Sequence, residues 1–517
     1  MSNVQMMINT LLGQAAEAWN RGDIPAAEQA VQQILRIKPN HAGALQRLAT
    51  IYQFRGDTSK ALIYLKKSAK SAPADGNLQL ALAGMHEQEG DGPGAIAAYR
   101  KAAALLPDEP RGLCGEASVL ERMHLLDEAN EAALRAVDRF PKSPIAATIL
   151  ARIQRRLGNT DRARQLLERT LDQPGLQATD EYPAAFEYAK LLDTLGEYDR
   201  AFRAFFRANA AQTRATGSQA LAEDPAVRMC EDIRTFSNND FASWRQAAKP
   251  MPERIAFLFG FPRSGTTMTD RILGAHEDVV IIEEQPTIRA MHGALGRVSP
   301  ELKPIPELYP TLNTDHIELL REAYRQAVRQ RLSSKDARRW KEGKLLVLDK
   351  FPLQITSIAT ISRVLPDAKV LVALRDPRDV CLSCFMQLFS LNRSMVQLLD
   401  LQRTVSYYNR VMSMWADVRD RLALDWLEVR YEDTVADFAA QTARVLAFLG
   451  LDPSADLSEF HRHEPGTLIS TPSYEAVSKP INDKAIGRWK NYREHIPELI
   501  EALRPLVERF GYESDAV

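Results

Sequence analysis

Only 4 cysteines occur in 517 residues, too few for a disulfide scaffold, and their scarcity suits a reducing compartment. Nor does any apolar run approach the roughly 20 residues that a membrane-spanning helix needs. The opening MSNVQMMINTLLGQAAEAWNRGD has no basic n-region and merges into an amphipathic helix. A soluble, cytoplasmic protein with no membrane span is the expectation. Charge of neither sign is in excess: 66 Lys+Arg stand against 67 Asp+Glu. No global basic field therefore argues for a nucleic-acid partner. The length outgrows one core, so two or three domains are expected.

What the chain does have is a period. Prolines fall at Pro39, Pro73, Pro107 and Pro141, each 34 residues after the last, and then at Pro174. Glycines mark an inner turn at Gly22, Gly56, Gly90 and Gly158, with His124 on the missing beat. Alanines follow five residues later, at Ala27, Ala61, Ala95, Ala129 and Ala163. Each unit reads as a helix, a glycine turn, a second helix that alanine lets approach closely, and a proline past its end. Leu45, Leu48, Tyr52 and Leu65 are placed against neighbouring hairpins. Five units span residues 8–177, and Gly196, Ala201 and Phe205 mark a sixth. The pattern resembles tetratricopeptide repeats and implies a helical solenoid.

We place the solenoid at 1–215, a helical linker at 216–249, and a second domain at 250–517, where Pro250 and Pro252 disfavour helix and let a strand begin. The solenoid is open to a protein or peptide substrate, to a partner, or to a second copy of itself in a homo-oligomer.

The second domain opens with a short buried run, Ile255 to Gly260, then Phe261-Pro262-Arg263-Ser264-Gly265-Thr266-Thr267, then Met268, Ile272 and Leu273 at helical spacing. Strand, tight loop and helix of this kind aim backbone N–H groups and a helix dipole at one anion. The spacing is close to a Walker A loop, yet Thr266 stands in place of its lysine and Arg263 is added. Val279 to Ile282 reads as a second strand ending in Glu283-Glu284. Paired carboxylates beside an anion cradle suggest proton work, with a helix cap as the plain alternative for Glu284. Leu345 to Leu348 leads to Asp349-Lys350. The Asp is placed as in Walker B, which keeps a P-loop kinase or NTPase open, and mutual pairing of the two is a further reading. Lys369 to Leu374 precedes Arg375-Asp376-Pro377-Arg378-Asp379 and Ser383. Asp425 to Arg430 is a fifth strand, running into Tyr431. Residues 313–342 read as one charged, solvated helix, and His276 as a helix-end histidine. Cys381 and Cys384 read as buried small residues, and the His461–His463 pair lacks the further ligands of a metal site.

Several of these motifs together resemble a known family. The P-R-S-G-T-T run resembles the 5′-phosphosulfate loop of sulfotransferases that use 3′-phosphoadenosine 5′-phosphosulfate (PAPS). Arg375 and Ser383 resemble the pair that holds its 3′-phosphate. The chain as a whole looks like a bacterial-type tetratricopeptide-repeat sulfotransferase, its catalytic half resembling tyrosylprotein sulfotransferases. There a G-E-E-T-R stretch carries the catalytic base, which register places at Glu284; here Gln285-Pro286 replaces the threonine and arginine. The resemblance implies an α/β fold with a central parallel sheet. It implies PAPS as donor, adenosine 3′,5′-bisphosphate (PAP) as product, and no metal. Arg263, Lys350 and Glu284 are then catalytic. Pro262, Ser264, Gly265, Thr266, Thr267, Arg375, Ser383, Tyr431, Ser473 and Arg488 bind the nucleotide. Tyrosine in a protein or peptide ranks first as acceptor, a glycan or small metabolite second, and a non-catalytic nucleotide-binding scaffold is the reading from another class.

Overall fold

The 34-residue beat becomes antiparallel helix pairs in the computed structural model, which describes residues 3–513 apart from 55–56, 218–222, 248, 300, 302 and 461–480. The pairs are Asn3–Asn20 with Ile24–Ile37, Ala42–Phe54 with Thr58–Ser71, Gly76–Gln88 with Gly92–Leu105, Arg111–Arg122 with Leu126–Arg139, and Pro144–Arg156 with Thr160–Leu171. Turns between partners need a left-handed residue, supplied by Gly22, Gly90 and Gly158 at φ 77°, 74° and 84°. His124 fills the same place at φ 61°. Ala27, Ala61, Ala95, Ala129 and Ala163 are all buried, as close helix approach requires, and so are Leu45, Leu48 and Leu65. Tyr52 stacks on Tyr64. Asp23, Asp57 and Asp91 add a further beat: each caps the second helix of its pair by accepting a backbone N–H three residues on.

By their contacts the described residues divide into two compact units, one running through Leu191 and the other from Leu192 onward. The helix Tyr198–Thr216 lies in the second unit. There Phe206 packs on Phe385 and Asn209 donates to the Phe385 carbonyl at 2.9 Å. The helices Ala226–Arg234 and Asn238–Ala247 also lie there.

The second unit is built on five parallel strands: β1 (Arg254–Gly260), β2 (Val279–Glu283), β3 (Leu346–Lys350), β4 (Lys369–Leu374) and β5 (Asp425–Arg430), in the order β2-β3-β1-β4-β5. β1, β3 and β4 are buried along almost their whole length, and β1 and β4 read as short apolar runs, whereas the edge strand β5, DWLEVR, is mostly half-buried. The chain leaves central β1 for β2 and β3 on one side and reaches β4 on the other. The carboxyl end of β1 is therefore the topological switch point, where ligands bind in open α/β sheets. The stretch 313–342 is two helices, not one: Thr314–Arg329 and Ser334–Lys341, the second started by Ser333 capping Asp336. Nor is it merely a solvated face, since Leu320, Tyr324, Val328 and Trp340 are buried.

Candidate functional site

After Gly260 the backbone turns sharply. A Cβ on Gly260 would lie 2.7 Å from both the Ala373 carbonyl and Ser264 Oγ, so only glycine fits. Arg263 and Gly265 take left-handed φ values of 71° and 99°, and the helix Thr266–Gly274 starts without a side-chain cap. Ser264 Oγ donates to the Phe261 carbonyl at 2.7 Å, so this hydroxyl fastens the loop itself. The Cys384 thiol donates to the Pro262 carbonyl at 3.3 Å. The C-x-x-C is thus a pair of buried free thiols, one of which braces the loop. Thr266 and Thr267 are buried in the first helical turn.

Guanidinium groups converge on this loop. Arg263 Nε donates to Ser383 Oγ at 3.0 Å. Arg375 Nη1 donates to the Arg263 carbonyl at 3.3 Å, Nη2 to the Ala485 carbonyl, and its Nε has no hydrogen-bond partner among the described residues. Arg375 also stacks over the Tyr431 ring at 5.1 Å, and the position a Cβ would take on Gly265 is 3.0 Å from that ring. Burial, then the charges of Arg375 and Arg488, pull the Arg263 guanidinium down to about 10. Burial is thus the first cause and neighbouring like charge the second, while Arg375 itself lies 3.6 Å from Asp379. Arg488 begins the helical turn Arg488–His495 and is held at 2.7 Å by Asp193, which also accepts from Tyr492 OH at 2.5 Å. Asp379 secures this segment by accepting the Gly487 and Trp489 N–H groups at 2.7 and 2.9 Å.

A second cluster sits at the ends of β2 and β3. Lys350 Nζ lies 3.0 Å from Glu283, 3.1 Å from Glu284 and 3.3 Å from Asp270. Burial opposes its ammonium, yet Asp270, Glu283 and Glu284 outweigh that and hold its pKa above the usual lysine range. Glu284 sits at φ 50°, a conformation uncommon outside glycine, with its N–H bonded to the Lys350 carbonyl at 2.7 Å. Glu284 is not a helix cap, because the helix Thr287–Val298 has Pro286 at its cap position and no side-chain cap bond. Asp349 and Lys350 do not pair either. Strand alternation sends them to opposite faces, and Asp349 accepts from Thr287 Oγ1 at 2.6 Å and Tyr324 OH at 3.1 Å.

Pro262, Arg263, Ser264, Gly265, Thr266, Thr267, Arg375, Ser383, Tyr431 and Arg488 are thus grouped about the β1 loop, and Glu284 and Lys350 form the carboxylate–ammonium set. Ser473 and the His461–His463 pair lie outside the described residues. His276 is buried just past the helix Thr266–Gly274, accepting the Asp278 N–H at 3.1 Å. Asp193, Asp270 and Asp379 were not among the expected residues. Asp270 had a signal, an acid one turn past Thr266 and three residues before buried Leu273, on the same side of the helix as both.

Comparison with known proteins agrees with both halves. Residues 256–456 match the sulfotransferase family, and 47–110 and 114–178 match the tetratricopeptide repeat. An uncharacterized protein of Aquifex aeolicus (strain VF5) is 23% identical over 349 residues, 67% of this chain but only 44% of that protein. Protein-tyrosine sulfotransferase A of Caenorhabditis elegans is 24% identical over 50% of this chain and 67% of its own length. Protein-tyrosine sulfotransferase 2 of Gallus gallus is 25% identical over 52% of this chain and 71% of its own. The chain therefore carries tetratricopeptide repeats followed by a sulfotransferase family domain.

Proposed function

We propose that the second unit moves a sulfuryl group from PAPS to an acceptor hydroxyl and releases PAP. The observation that carries this reading is the convergence of Arg263, Arg375 and Ser383 on the loop at the uncapped start of the helix Thr266–Gly274. A nucleotide with an anionic group at each end fits it: among the described residues the buried Nε of Arg375 has no hydrogen-bond partner, and planar guanidinium groups suit phosphate oxygens. When bound, PAPS supplies the sulfuryl group already attached to a phosphate leaving group.

The chain's own residues then have distinct tasks. Arg263, Gly265, Thr266 and Thr267 hold the phosphosulfate end, with Ser264 keeping the loop in shape. Arg375 and Ser383 hold the ribose phosphate, and Tyr431 fixes the Arg375 plane. Glu284 takes the acceptor proton, and the Lys350 ammonium offsets negative charge on the leaving oxygen. Arg488 closes over the nucleotide once it parts from Asp193.

For the acceptor we favour tyrosine in a protein or peptide, on the strength of the named relatives, with the repeat unit as the polypeptide-binding surface. The arginine that those enzymes carry just after the glutamate pair is absent here, but Arg331 Nε donates to Gln285 at 3.1 Å and brings a cation to the same place. A glycan or small-metabolite hydroxyl would use the same machinery. A kinase reading loses its Walker B residue, since Asp349 is bound by Thr287 and Tyr324 on the opposite face. Among the described residues no helix is long and apolar enough to cross a membrane. Incubating the full chain with PAPS and a panel of tyrosyl peptides, glycans and phenols, beside Glu284→Ala, tests the proposal. Sulfated product from the wild type alone supports it. PAP binding without product from any acceptor favours the scaffold.

A further inference from the structure

Two carboxylates in the lysine cluster, Asp270 and Glu283, have no task in the reaction just described. Asp270 lies one helical turn past Thr266 and is buried, with Oδ2 3.3 Å from Lys350 Nζ. Neither of its oxygens has a hydrogen-bond partner among the described residues. Arg271 stands 3.9 Å from Asp270 and 3.7 Å from Glu283. The charged groups around Lys350 are thus Asp270 and Arg271 from the helix and Glu283 and Glu284 from the end of β2. From β1 its register partner is the apolar Leu258.

Three carboxylates on one ammonium exceed what a structural ion pair needs. Glu284, at 46% side-chain exposure, is the one open to an acceptor, and Glu283 is shared with Arg271. Once Glu284 turns to its proton, Asp270 and Glu283 remain beside the ammonium, and Asp270 is the fully buried one of the two, placed to keep the charge from being stranded in a low-dielectric site. Resting on the sulfotransferase reading, we propose that Asp270 is a positioning residue that keeps Lys350 charged and in place while Glu284 acts on the acceptor. In that step the acceptor oxygen bonds to sulfur, and the bond from sulfur to the nucleotide phosphate breaks with its electron pair on the phosphate oxygen. The acceptor proton passes to Glu284, and Asp270 exchanges nothing. Of the attractions that hold the Lys350 ammonium charged against its burial, that of Asp270 is the largest.

The first arm of the test needs no turnover. Reductive methylation of the full chain, followed at Lys350 by mass spectrometry from about pH 7 to about pH 11, reports its charge state. Asp270→Asn should make Lys350 react about tenfold faster near pH 9, and Asp270→Glu should restore protection. Should the Asn variant fail to fold, Asp270→Ser gives the same readout. Unchanged reactivity in a folded variant overturns the proposal. The second arm is kinetic: kcat should fall with KM for PAPS held, and the alkaline limb of the pH profile should move down. Loss of PAP affinity in Asp270→Asn would make it a loop residue and overturn the assignment. A wild type that never turns over PAPS while the labelling shift appears would sink the sulfotransferase reading and leave the Asp270–Lys350 pairing standing.

Discussion

Arg263 Nε donates to Ser383 Oγ across 3.0 Å and 120 residues of sequence, and that bond ties two motifs together. It links the loop after β1 to the helix Pro377–Phe385 after β4. The bond also steadies Arg263 at φ 71°, a backbone state that costs energy outside glycine. Arg375, bonded to the Arg263 carbonyl, completes the joint.

Removing Arg375 should therefore damage nucleotide binding more than folding. Arg375→Ala is expected to weaken PAP by about 1.5 to 3 kcal/mol, the cost of a lost charged hydrogen bond. Calorimetry with PAP against ATP checks it, and undiminished PAP affinity would remove the ribose-phosphate assignment.

Glu284 is expected to matter for turnover and not for the nucleotide. Its left-handed backbone and its bond to the Lys350 carbonyl persist in Glu284→Gln, while proton acceptance is lost. The sulfation rate should drop about 10²- to 10⁴-fold, with PAP affinity unchanged. A Gln variant with near-normal turnover would assign the proton to another group.

Asp349 gives the unit a pH signature. Burial pushes it to about 7, against a partial pull back from Thr287 and Tyr324. In the unfolded chain it titrates near its ordinary value of about 3.9. Between those values the folded protein keeps a proton that the unfolded chain has lost, so this residue's contribution to stability falls as pH rises from about 4 to about 7. Relative to wild type, Asp349→Asn should flatten stability across that window, by at most on the order of 4 kcal/mol. Thermal or urea unfolding at several pH values measures it; parallel curves for the two proteins would refute it.

Where the fold was legible, the signal was local. Strands β1 and β4 are short apolar runs because both faces of the sheet are covered there, whereas the edge strand β5, DWLEVR, mixes charged and apolar residues, and the β1 loop shows in its glycines and hydroxyls. Strand order was not, because it depends on how the crossovers pack. The fates of Asp349 and Lys350 needed the pleat, which separates adjacent side chains however suited they look as a pair. Arg488 and Asp193 meet across 295 residues, with nothing in either neighbourhood to announce the other. Asp270 is the instructive middle case. Its place one turn past Thr266 was readable, but its partner lies on a strand whose neighbour in the sheet the sequence does not name.

The repeat offers the sharpest test of reading by beat. His124 holds the turn position that glycine holds in other units, at φ 61°, and it bonds Arg156 at 2.9 Å. Backbone preference alone favours glycine here by about 1 kcal/mol, while loss of the Arg156 bond opposes it by about 0.5 to 1.5 kcal/mol. His124→Gly should thus leave stability within about 1 kcal/mol of wild type. His124→Val has neither the bond nor a tolerable backbone and should lose about 2 kcal/mol or more. Urea unfolding of the two variants decides it: if Val is tolerated as well as Gly, the turn at 124 is not the left-handed one that the 34-residue period requires.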